Sequence, residues 1–392
     1  MRVLYVASGT RMSGGATKSF LAMLREADKA GIEYRVVCPD TLGLTRCLEE
    51  KGVYTYVRHF RHNRYPSTQG IVNLLKWLPR LIHDNYINWK AKRRLYEDVK
   101  DFNPDIVHEN SSAVNIGYYI AKRLDVPYIM HIREYGDLDF QITIPDVGKR
   151  MADPGCWTIS ITKDIFLRKK QDRNPHATQI YNGIMTMSQL RFTPHKKRYF
   201  LYAGRIEPAK GTSELIDAYL KYLSVEKDPV PLKIAGGCNH PDYCERLKDK
   251  VAHAGCSDMV EWLGDRDDVC DLMFEAAATV IPSRFEALGR VMPEAMANGS
   301  LCVGRDTGGT KEQMDNGLEF TGNEIALRFT TVDDLAGVFS YITCEMKDND
   351  PFASGGAFRD MIDRSQRSVC EFFSEEQFGK RLLSFYDKIL NG

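Results

Sequence analysis

Short apolar runs of strand length alternate with helical stretches in both halves of this chain, and this alternation restricts it to parallel sheets covered by helices. The predicted strands of the first half are residues 2–8, 34–38, 106–109, 128–131 and 157–160. Those of the second half are residues 199–203, 232–235, 260–263, 278–281 and 301–304. The sequence therefore predicts an α/β protein with two doubly wound, Rossmann-like domains.

The segment from residue 181 to about residue 194 is rich in turn residues and poor in helix formers, so it is the predicted linker. A chain of 392 residues is long enough for each domain to bury a core of its own. We expect an N-terminal domain over residues 1–185, a C-terminal domain over residues 186–373 and a closing helix over residues 374–392.

The composition favours a cytoplasmic protein. Apolar residues make up 43% of the chain and charged residues 27%, which is typical of a globular protein. No apolar stretch reaches the roughly 18 residues that would span a bilayer. Residues 1–7 are too short for the apolar region of a signal peptide and predict a buried strand instead. The ten cysteines occur singly without a Cys-x-x-Cys pair, so we expect no disulfide framework.

The charge distribution is uneven although the net charge is zero. Residues 1–185 contain 28 basic and 20 acidic side chains, and the remainder has the opposite imbalance. Ten basic and three acidic residues lie between residues 58 and 100. Together with the apolar stretch 71–82, this segment predicts either a peripheral contact with an anionic membrane, at about 1 kcal/mol per basic side chain, or a solvated basic helix face beside an ordinary core helix. We expect no nucleic acid partner.

Two runs in the second half carry the strongest functional signal. Residues 204–211 follow a predicted strand and contain Arg205 and Lys210, so both cations can project from the carboxyl end of that strand. Residues 285–294 follow another strand and place Glu286 in a strand-to-helix loop, with Glu294 about two turns later. The two runs therefore bring two cations and two carboxylates to one sheet edge.

Backbone amides can complete such a site. The amides near Ala287, Leu288 and Gly289 lie where a loop meets a predicted helix start, so their N–H groups are available to a phosphate. Charge-assisted hydrogen bonds contribute roughly 1.5 to 3 kcal/mol each. Four or five of them would hold a diphosphate without a metal ion, and we expect no metal site and no cofactor.

The spacing of these residues resembles a known family. The patterns Gly-Arg-x5-Gly and Pro-Ser-x-x-Glu-x-x-Gly-x4-Glu-Ala-Met-Ala-x-Gly are similar to those of the retaining, metal-independent glycosyltransferases of family 4, which have the GT-B fold. Further matching segments are residues 13–15, 104–108, 131, 181–183, 234–237, 262–264 and 308–309. The resemblance implies two Rossmann-like domains facing a central cleft that closes on the donor, with the final helix crossing back to the first domain.

The resemblance also implies roles for individual residues. Arg205 and Lys210 would bind the nucleotide diphosphate, Glu286 the donor sugar and Glu294 the ribose hydroxyls. Four further positions, namely Gly14, Gly15, Gly204 and the backbone near Arg266, would contact the donor, the last of them at the nucleobase. Arg290 and Cys238 differ from the residues usual at their positions, which affects the identity of the sugar rather than the class.

Several polar residues end predicted strands of the first half. His131 closes residues 128–131 at the carboxyl edge, where ligands of α/β proteins gather, and the resemblance places such a histidine against the sugar. Arg133 and Glu134 would either meet the acceptor or form a local ion pair, and His108 is a weaker acceptor candidate. The glycine-rich turn at Gly14 either approaches a ligand or is a tight turn alone.

Two other patterns have structural explanations. The segment 13–19 lacks the glycine that a P-loop needs before its lysine, and it is no Gly-x-Gly-x-x-Gly fingerprint either. The triplets 137–139 and 265–267 place two aspartates around one residue and could hold a divalent cation. We interpret both triplets as structural, because Arg205 and Lys210 already neutralise a diphosphate.

These observations predict a retaining glycosyltransferase that moves a hexose from a nucleotide diphosphate sugar to a hydroxyl of a glycan or lipid-linked acceptor. Family frequency alone favours uridine diphosphate, followed by guanosine diphosphate. The alternatives are a nucleotide-sugar 2-epimerase of the same fold and a non-catalytic sugar-nucleotide-binding subunit. An epimerase needs no acceptor, and a non-catalytic subunit would not need every charged donor-site residue.

Overall fold

The computed structural model describes residues 1–12, 14–66, 68, 70–140, 142–348 and 350–391, with the side chains of residues 139, 140 and 348 outside the description. The chain divides into two compact units. The first comprises Met1–Gly183 and Glu375–Gly392, and the second comprises Ile184–Ser374.

The first unit is built on a sheet of seven parallel strands in the order β3-β2-β1-β4-β5-β6-β7. The order reverses between β1 and β4, as in doubly wound sheets. Its strands are β1 (Arg2–Val6), β2 (Glu33–Cys38), β3 (Thr55–Val57), β4 (Ile106–Glu109), β5 (Tyr128–Ile132), β6 (Cys156–Ser160) and β7 (Ala177–Gln179).

Helices connect these strands. They are α1 (Gly15–Lys29), α2 (Leu44–Glu50), α3 (Ile71–Leu75), α4 (Trp77–Val99), α5 (Ile116–Leu124), α6 (Asp137–Phe140), α7 (Val147–Met151) and α8 (Lys163–Arg168). The longest, α4, buries only Asn88, Ala91, Leu95 and Val99. In the described part of the chain, no helix is both long enough and apolar enough to cross a membrane.

The second unit has a six-stranded parallel sheet in the order β10-β9-β8-β11-β12-β13, which is again a doubly wound order with its switch point between β8 and β11. Its strands are β8 (Lys197–Ala203), β9 (Leu232–Ala235), β10 (Val260–Gly264), β11 (Ala276–Ile281), β12 (Leu301–Arg305) and β13 (Leu327–Phe329). The predicted fold class is therefore confirmed. The three-residue edge strands β3, β7 and β13 were not predicted.

Seven helices cover this sheet among the described residues. They are α9 (Thr212–Val225), α10 (Pro241–His253), α11 (Val269–Glu275), α12 (Val291–Ala297), α13 (Gly308–Thr321), α14 (Val332–Asp348) and α15 (Arg359–Phe373). Aromatic side chains fill the core between β8, α9 and α14. The rings of Phe200 and Phe339 lie 4.6 Å apart, and those of Tyr219 and Phe339 meet edge to face at 5.8 Å.

The last helix, α16 (Glu375–Asn391), belongs to the first unit. Its buried residues include Phe378, Leu382 and Tyr386, which pack with the core around β1. Arg25 of α1 donates to the Glu375 carboxylate from Nε at 2.8 Å, and the buried Glu375 thereby holds the start of the helix. The helix therefore crosses back to the first domain, as the resemblance implied.

The structure corrects one expectation about cysteine. Cys238, in the loop after β9, is bonded to Cys244 in the first turns of α10. The two residues meet because α10 begins at Pro241 and turns the chain back on itself. The cysteine pattern predicts no disulfide framework, because the cysteines occur singly without a Cys-x-x-Cys pair, and this one bond departs from that expectation. The other eight cysteines are free.

Candidate functional site

The charged residues of the second unit gather at the carboxyl ends of β8 and β11. These two strands are neighbours at the point where the strand order reverses, and their loops leave in opposite directions. A crevice forms at such a point in doubly wound sheets, and ligands bind there. The loops after both strands contain the residues that the sequence singled out.

A glycine lets the two loops touch. After β8 the chain forms a short 3-10 helix, Pro208–Lys210, which ends at Gly211 with φ at +67°. A Cβ atom on Gly211 would lie 1.9 Å from the carbonyl oxygen of Pro282, directly after β11. Any larger residue would force the loops apart. The approach is reinforced where the Arg284 amide donates to the Ala209 carbonyl at 3.0 Å.

This approach brings Lys210 to Glu286. The Lys210 ammonium donates to Glu286 Oε1, and the Ser283 hydroxyl donates to the same oxygen at 2.9 Å. The side chains are partly open to solvent, with exposed fractions of 22% for Lys210 and 16% for Glu286. The structure thus joins two residues that are 76 positions apart, at the edge the sequence predicted.

The loop after β11 also presents free amides. Among the described residues, none accepts a hydrogen bond from the backbone N–H groups of Ala287, Leu288 and Gly289. Ala287 and Gly289 are half-buried, and unpaired amides near the surface can donate to a ligand oxygen.

The start of α13 supports this loop from behind. The Gly309 amide donates to the Glu286 carbonyl at 2.9 Å, and Gln313 Nε2 donates to the Gly289 carbonyl at 3.0 Å. A Cβ atom on Gly309 would lie 2.6 Å from the Ala287 carbonyl oxygen. The carbonyls are thus held towards α13, which leaves the amides directed away from it.

Arg205 lies on the same edge, and its side chain is more exposed than that of Lys210. Its guanidinium is 3.2 Å from the Glu207 carboxylate, and 59% of its side chain is exposed. Its backbone is fixed, because the buried Tyr202 donates its hydroxyl to the Arg205 carbonyl at 2.7 Å. The preceding Gly204 donates its amide to the Ala235 carbonyl at 2.9 Å. A fixed backbone with an exposed side chain allows Arg205 to reach a ligand.

Glu294 is paired with Arg290, a residue that differs from the family pattern. Arg290 Nε donates to Glu294 Oε1 at 3.1 Å, one helical turn away, and Arg290 Nη2 donates to the Ile184 carbonyl at 3.2 Å. The residue that departs from the family pattern therefore engages one of the two carboxylate oxygens of Glu294.

The loop after β10 reaches the same edge. A Cβ atom on Gly237 would lie 2.4 Å from an Asp265 carboxylate oxygen, and the Ile206 amide donates to the Gly237 carbonyl at 2.9 Å. Arg266 forms a two-bond pair with Asp268, from Nε at 2.7 Å, on the exposed side of the loop. The loop of Arg266 therefore contacts the loop after β9, which in turn contacts the Arg205 loop, while the Arg266 side chain is paired with Asp268.

In the first unit, the glycine-rich turn follows β1. Ser13 lies outside the described residues. Gly14 precedes α1, its amide donates to the Arg11 carbonyl at 3.1 Å, and Gly15 is the first residue of the helix. The turn is therefore at the carboxyl edge of the sheet, beside β4.

A buried chain of hydrogen bonds links the ends of β4 and β5 to α16. The Tyr386 hydroxyl lies 2.6 Å from His108 Nδ1, and His108 Nε2 lies 3.2 Å from His131 Nδ1. Arg133 Nη2 is also 3.3 Å from His131 Nδ1. An arginine can only donate, so His131 Nδ1 is an acceptor, and His108 must donate to it from Nε2.

These bonds fix the proton positions. His131 must carry its proton on Nε2, and that atom is buried without a partner among the described residues. Burial lowers the pKa of His108 to about 3, with the nearby Arg133 acting in the same direction. Burial also lowers the pKa of His131 well below its usual value, helped by Arg133 and His108. The chain is therefore neutral and ends in an unused N–H donor.

The two acceptor candidates beside it have partners within the unit. Arg133 donates from Nε to the Asn110 side-chain oxygen at 2.8 Å. Glu134 Oε1 accepts from the Ser111 and Ser112 hydroxyls at 2.8 and 2.7 Å. Both side chains are buried.

Among the described side chains, the aspartates of the two triplets belong to no larger ligand cluster. Asp137 pairs with Arg168 at 2.7 Å, and the side chain of residue 139 lies outside the description. Asp265 lies against Gly237. Among the residues that the structure describes, no group of three or more histidine, cysteine, aspartate or glutamate side chains is arranged to hold a metal ion.

Sequence reasoning missed three supporting residues. Ser283 was interpreted only as a strand stop, although its spacing of three residues before Glu286 is compatible with a local hydrogen bond. Gln313 and Tyr386 gave no local signal, because each acts on a residue distant in the sequence.

Two protein-family models match this chain, and solved structures share its fold. The model for Glycosyl transferases group 1 matches residues 187–341, and the model for Glycosyltransferase Family 4 matches residues 13–137. The glycosyltransferase of Rickettsia africae ESF-5 superimposes with a TM-score of 0.76 at 16% identity, over 100% of this chain and 99% of its own. Anabaena Alr3699/HepE, solved in complex with UDP, gives a TM-score of 0.76 at 16% identity over 99% and 100%.

Two curated relatives are similar over part of their length. The lipopolysaccharide core biosynthesis mannosyltransferase LpsB of Rhizobium meliloti is 27% identical over 196 residues, covering 50% of this chain and 52% of LpsB. The N-acetyl-alpha-D-glucosaminyl L-malate synthase of Bacillus anthracis is 26% identical, covering 50% and 46%. The chain thus aligns with about half the length of these relatives.

The solved structures establish the GT-B fold, and the switch-point site adds a candidate anion-binding centre to it. The two family models match separate parts of the chain, one in each half, and together span more than half of it. The chain belongs to the family 4-like glycosyltransferases.

Proposed function

We propose that this chain is a retaining, metal-independent glycosyltransferase that moves a hexose from a nucleoside diphosphate sugar to an acceptor hydroxyl. The observation that carries the proposal is the contact of Lys210 with Glu286 beside three backbone amides that have no acceptor among the described residues. Family membership supports the same class of reaction.

Charge matching supports a diphosphate as the group bound by Arg205, Lys210 and the loop amides. A diphosphate diester carries about two negative charges, and two cations balance it without a metal ion. When the bond between the anomeric carbon and the phosphate oxygen breaks, its electron pair stays on that oxygen. Positive groups already in place stabilise the added charge, as oxyanion holes do.

The partners of Glu286 support sugar binding over nucleophilic attack. One of its oxygens accepts from both Lys210 and Ser283, so it is an engaged anion. We therefore assign retention to departure and attack on the same face of the sugar. The acceptor oxygen bonds to the anomeric carbon, and its proton goes to the departing phosphate oxygen.

His131 Nε2–H suits an oxygen of the substrate. Its neutral tautomer is set by its hydrogen bonds, and the N–H has no protein acceptor among the described residues. We assign this donor to a hydroxyl of the transferred sugar, with His108 and Tyr386 as positioning residues.

We infer uridine diphosphate as the first carrier to test and guanosine diphosphate as the second. Anabaena Alr3699/HepE was solved with UDP and with UDP-glucose, which supports this order. LpsB is a mannosyltransferase of lipopolysaccharide core biosynthesis, which supports a glycan or lipid-linked acceptor.

The test is a panel of uridine and guanosine diphosphate hexoses, with released nucleotide measured in the presence of a chelator. We expect one donor to release nucleotide slowly with water and faster with a hydroxyl acceptor, giving a product with the anomeric configuration of the donor. Release that requires an added divalent cation would contradict metal independence. Conversion of the donor to a 2-epimer, or no release from any donor, would contradict the proposed reaction.

A further inference from the structure

A row of large apolar side chains lies outside the core of the first unit. No residue of α3 is buried, and the buried residues of α4 begin only at Asn88. The row is formed by six exposed side chains, with the exposed fraction of each in parentheses: Ile71 (77%), Leu75 (75%), Leu78 (57%), Ile82 (60%), Tyr86 (57%) and Trp89 (51%).

Helical spacing aligns this apolar row. Leu78, Ile82, Tyr86 and Trp89 are three or four residues apart in one helix, so they share a face. A single exposed leucine is ordinary in a folded protein, whereas a contiguous row on one face marks a surface that contacts something apolar.

Positive charge continues the same face. Arg93 follows Trp89 by four residues, and its guanidinium lies 5.1 Å from the centre of the Trp89 ring. The Tyr86 and Trp89 rings are stacked at 6.0 Å. Lys90 and Arg94 are exposed beside them and line the same groove. We call the groove that is lined by Tyr86, Trp89, Lys90, Arg93 and Arg94 the basic groove.

The acids near the basic groove already have partners. Asp98 pairs with Arg58 at 2.8 Å, and Glu97 pairs with Lys100 at 2.8 Å. Within the described parts of the chain, no carboxylate forms an ion pair with Lys90, Arg93 or Arg94, which are three of the cations that line the groove. Lys100 and, more weakly, Arg123 and Arg93 lower the pKa of the Glu97 carboxylate, so the charge of Arg93 is partly balanced, while that of Lys90 and Arg94 is left for an external anion.

The face is held rigidly to the unit at one end. The Asn88 side chain accepts from the Arg61 amide at 2.8 Å and donates to the Arg61 carbonyl at 3.1 Å. Ala91 and Leu95 bury the opposite side of α4. The part of α4 that presents Tyr86, Trp89 and the neighbouring cations is therefore fixed to the unit, which limits the entropy lost when it binds.

We propose that this face docks on an anionic phospholipid bilayer, with the apolar row in the interface and the basic groove on a lipid phosphate. Aromatic rings between an apolar stretch and cations match the boundary between acyl chains and headgroups. A soluble polyanion would leave the apolar row unused. A second copy of the chain would bring two positive grooves together, which charge repulsion opposes.

The test is co-sedimentation of the full chain with vesicles, since binding does not depend on the transfer reaction. Vesicles of phosphatidylcholine with phosphatidylglycerol should bind the protein, and added salt should weaken binding. Vesicles of phosphatidylcholine alone should bind it at least tenfold more weakly.

Paired variants separate the two parts of the face. The double variant Arg93→Glu and Arg94→Glu should lower affinity for the anionic vesicles at least twentyfold, because each cation near the surface is worth about fivefold. The double variant Leu75→Asn and Leu78→Asn should lower it at least tenfold. Control variants in the second unit, Val225→Asn and Lys227→Glu, change an exposed apolar and an exposed basic residue and should bind like the wild type.

All of these positions are exposed, so the variants should keep the wild-type circular dichroism and melting temperature. Absence of binding to the anionic vesicles would overturn the proposal, as would undiminished binding by the groove variant. A dimer that forms on concentration and disappears in the Leu75 and Leu78 variant, without vesicle binding, would assign the face to a second copy instead.

Discussion

The donor-side group of the second unit and the histidine chain of the first both lie at the carboxyl ends of parallel strands, but they are built in opposite ways. Lys210 and Glu286 are charged and partly exposed. His108 and His131 are fully buried and neutral. One group is a pair of opposite charges, and the other is a directed series of donors and acceptors.

The ion pair and the histidine chain are suited to different tasks. The pair of Lys210 and Glu286 is partly open to solvent, so a ligand phosphate can reach Lys210 and replace its carboxylate partner. A buried polar chain cannot exchange partners, because each broken bond leaves an unpaired group. The first region is therefore suited to follow a changing charge, and the second to hold one N–H in one direction.

The largest effect should follow removal of the lysine. In Lys210→Ala we expect turnover to fall about 100- to 1,000-fold with unchanged folding, because a group that stabilises the leaving diphosphate is gone. Nucleotide release under saturating donor measures it. Lys311→Ala removes a lysine from a surface pair with Asp315 in the same unit and serves as the matched control. Equal turnover of the wild type and Lys210→Ala would show that Lys210 does not take part in the reaction.

The hydrogen-bonded series of Tyr386, His108 and His131 should affect how the free energy of unfolding depends on pH. The pKa values of both histidines are lowered by burial, so the unfolded chain binds protons that the folded one does not. Their stabilising contribution is complete above about pH 6.5 and decreases as the pH falls, by about 1.4 kcal/mol per pH unit for each histidine, and for His108 the decrease continues to about pH 3.

Urea unfolding of the wild type and His131→Gln between pH 6.5 and 4, followed by tryptophan fluorescence, measures this. The wild type should have the steeper loss. Burial raises the pKa of Glu109, which acts in the opposite direction in both proteins and cancels in the comparison. Parallel pH profiles would mean that His131 is protonated in the folded protein.

The support behind the loop amides can be tested with two helical glycines. Gly309→Ala places a methyl group 2.6 Å from the Ala287 carbonyl oxygen, so the loop must shift, at about 1 to 3 kcal/mol. We expect uridine diphosphate to bind about tenfold more weakly by calorimetry. Gly337→Ala in α14 meets no atom within 4 Å and should leave binding unchanged. Similar affinities for the two variants would show that loop position is unimportant.

The smallest effect should come from the far end of the histidine chain. Tyr386→Phe removes the hydroxyl that lies 2.6 Å from His108 Nδ1 and 3.2 Å from the Tyr5 hydroxyl, leaving buried polar atoms unpaired at about 1 to 3 kcal/mol of stability. We expect turnover to fall severalfold while the Michaelis constant for the donor changes little. Nitrogen NMR should show a second tautomer at His131 in this variant, which a purely structural role would not produce. If His131 keeps only the Nε2–H tautomer in this variant, Tyr386 is not a positioning residue.

The fold could be predicted where strands are buried on both faces. Such strands are continuous apolar runs, and β4 and β9 begin and end at the predicted residues. The edge strands β3 and β13 contain three residues each, too few for a periodicity to emerge. Local pattern therefore identifies the centre of each sheet and misses its margins.

The candidate site divides in the same way. Arg205, Lys210 and Glu286 could be assigned to one edge because parallel strands end on the same side. The contact of Tyr386 with His108 joins residues 278 positions apart, and the bond of Cys238 to Cys244 depends on where α10 begins. Both needed the packed structure, since no local spacing encodes them.

We expect the switch point of the second sheet to bind a nucleoside diphosphate through Arg205, Lys210 and the loop amides, without a metal ion. The most direct measurement is calorimetric titration of uridine diphosphate, and then guanosine diphosphate, in the presence of a chelator. Saturable binding by the wild type, lost in the double variant Arg205→Ala and Lys210→Ala, is the predicted result. Binding of neither nucleotide, or binding that survives the double variant, would contradict it.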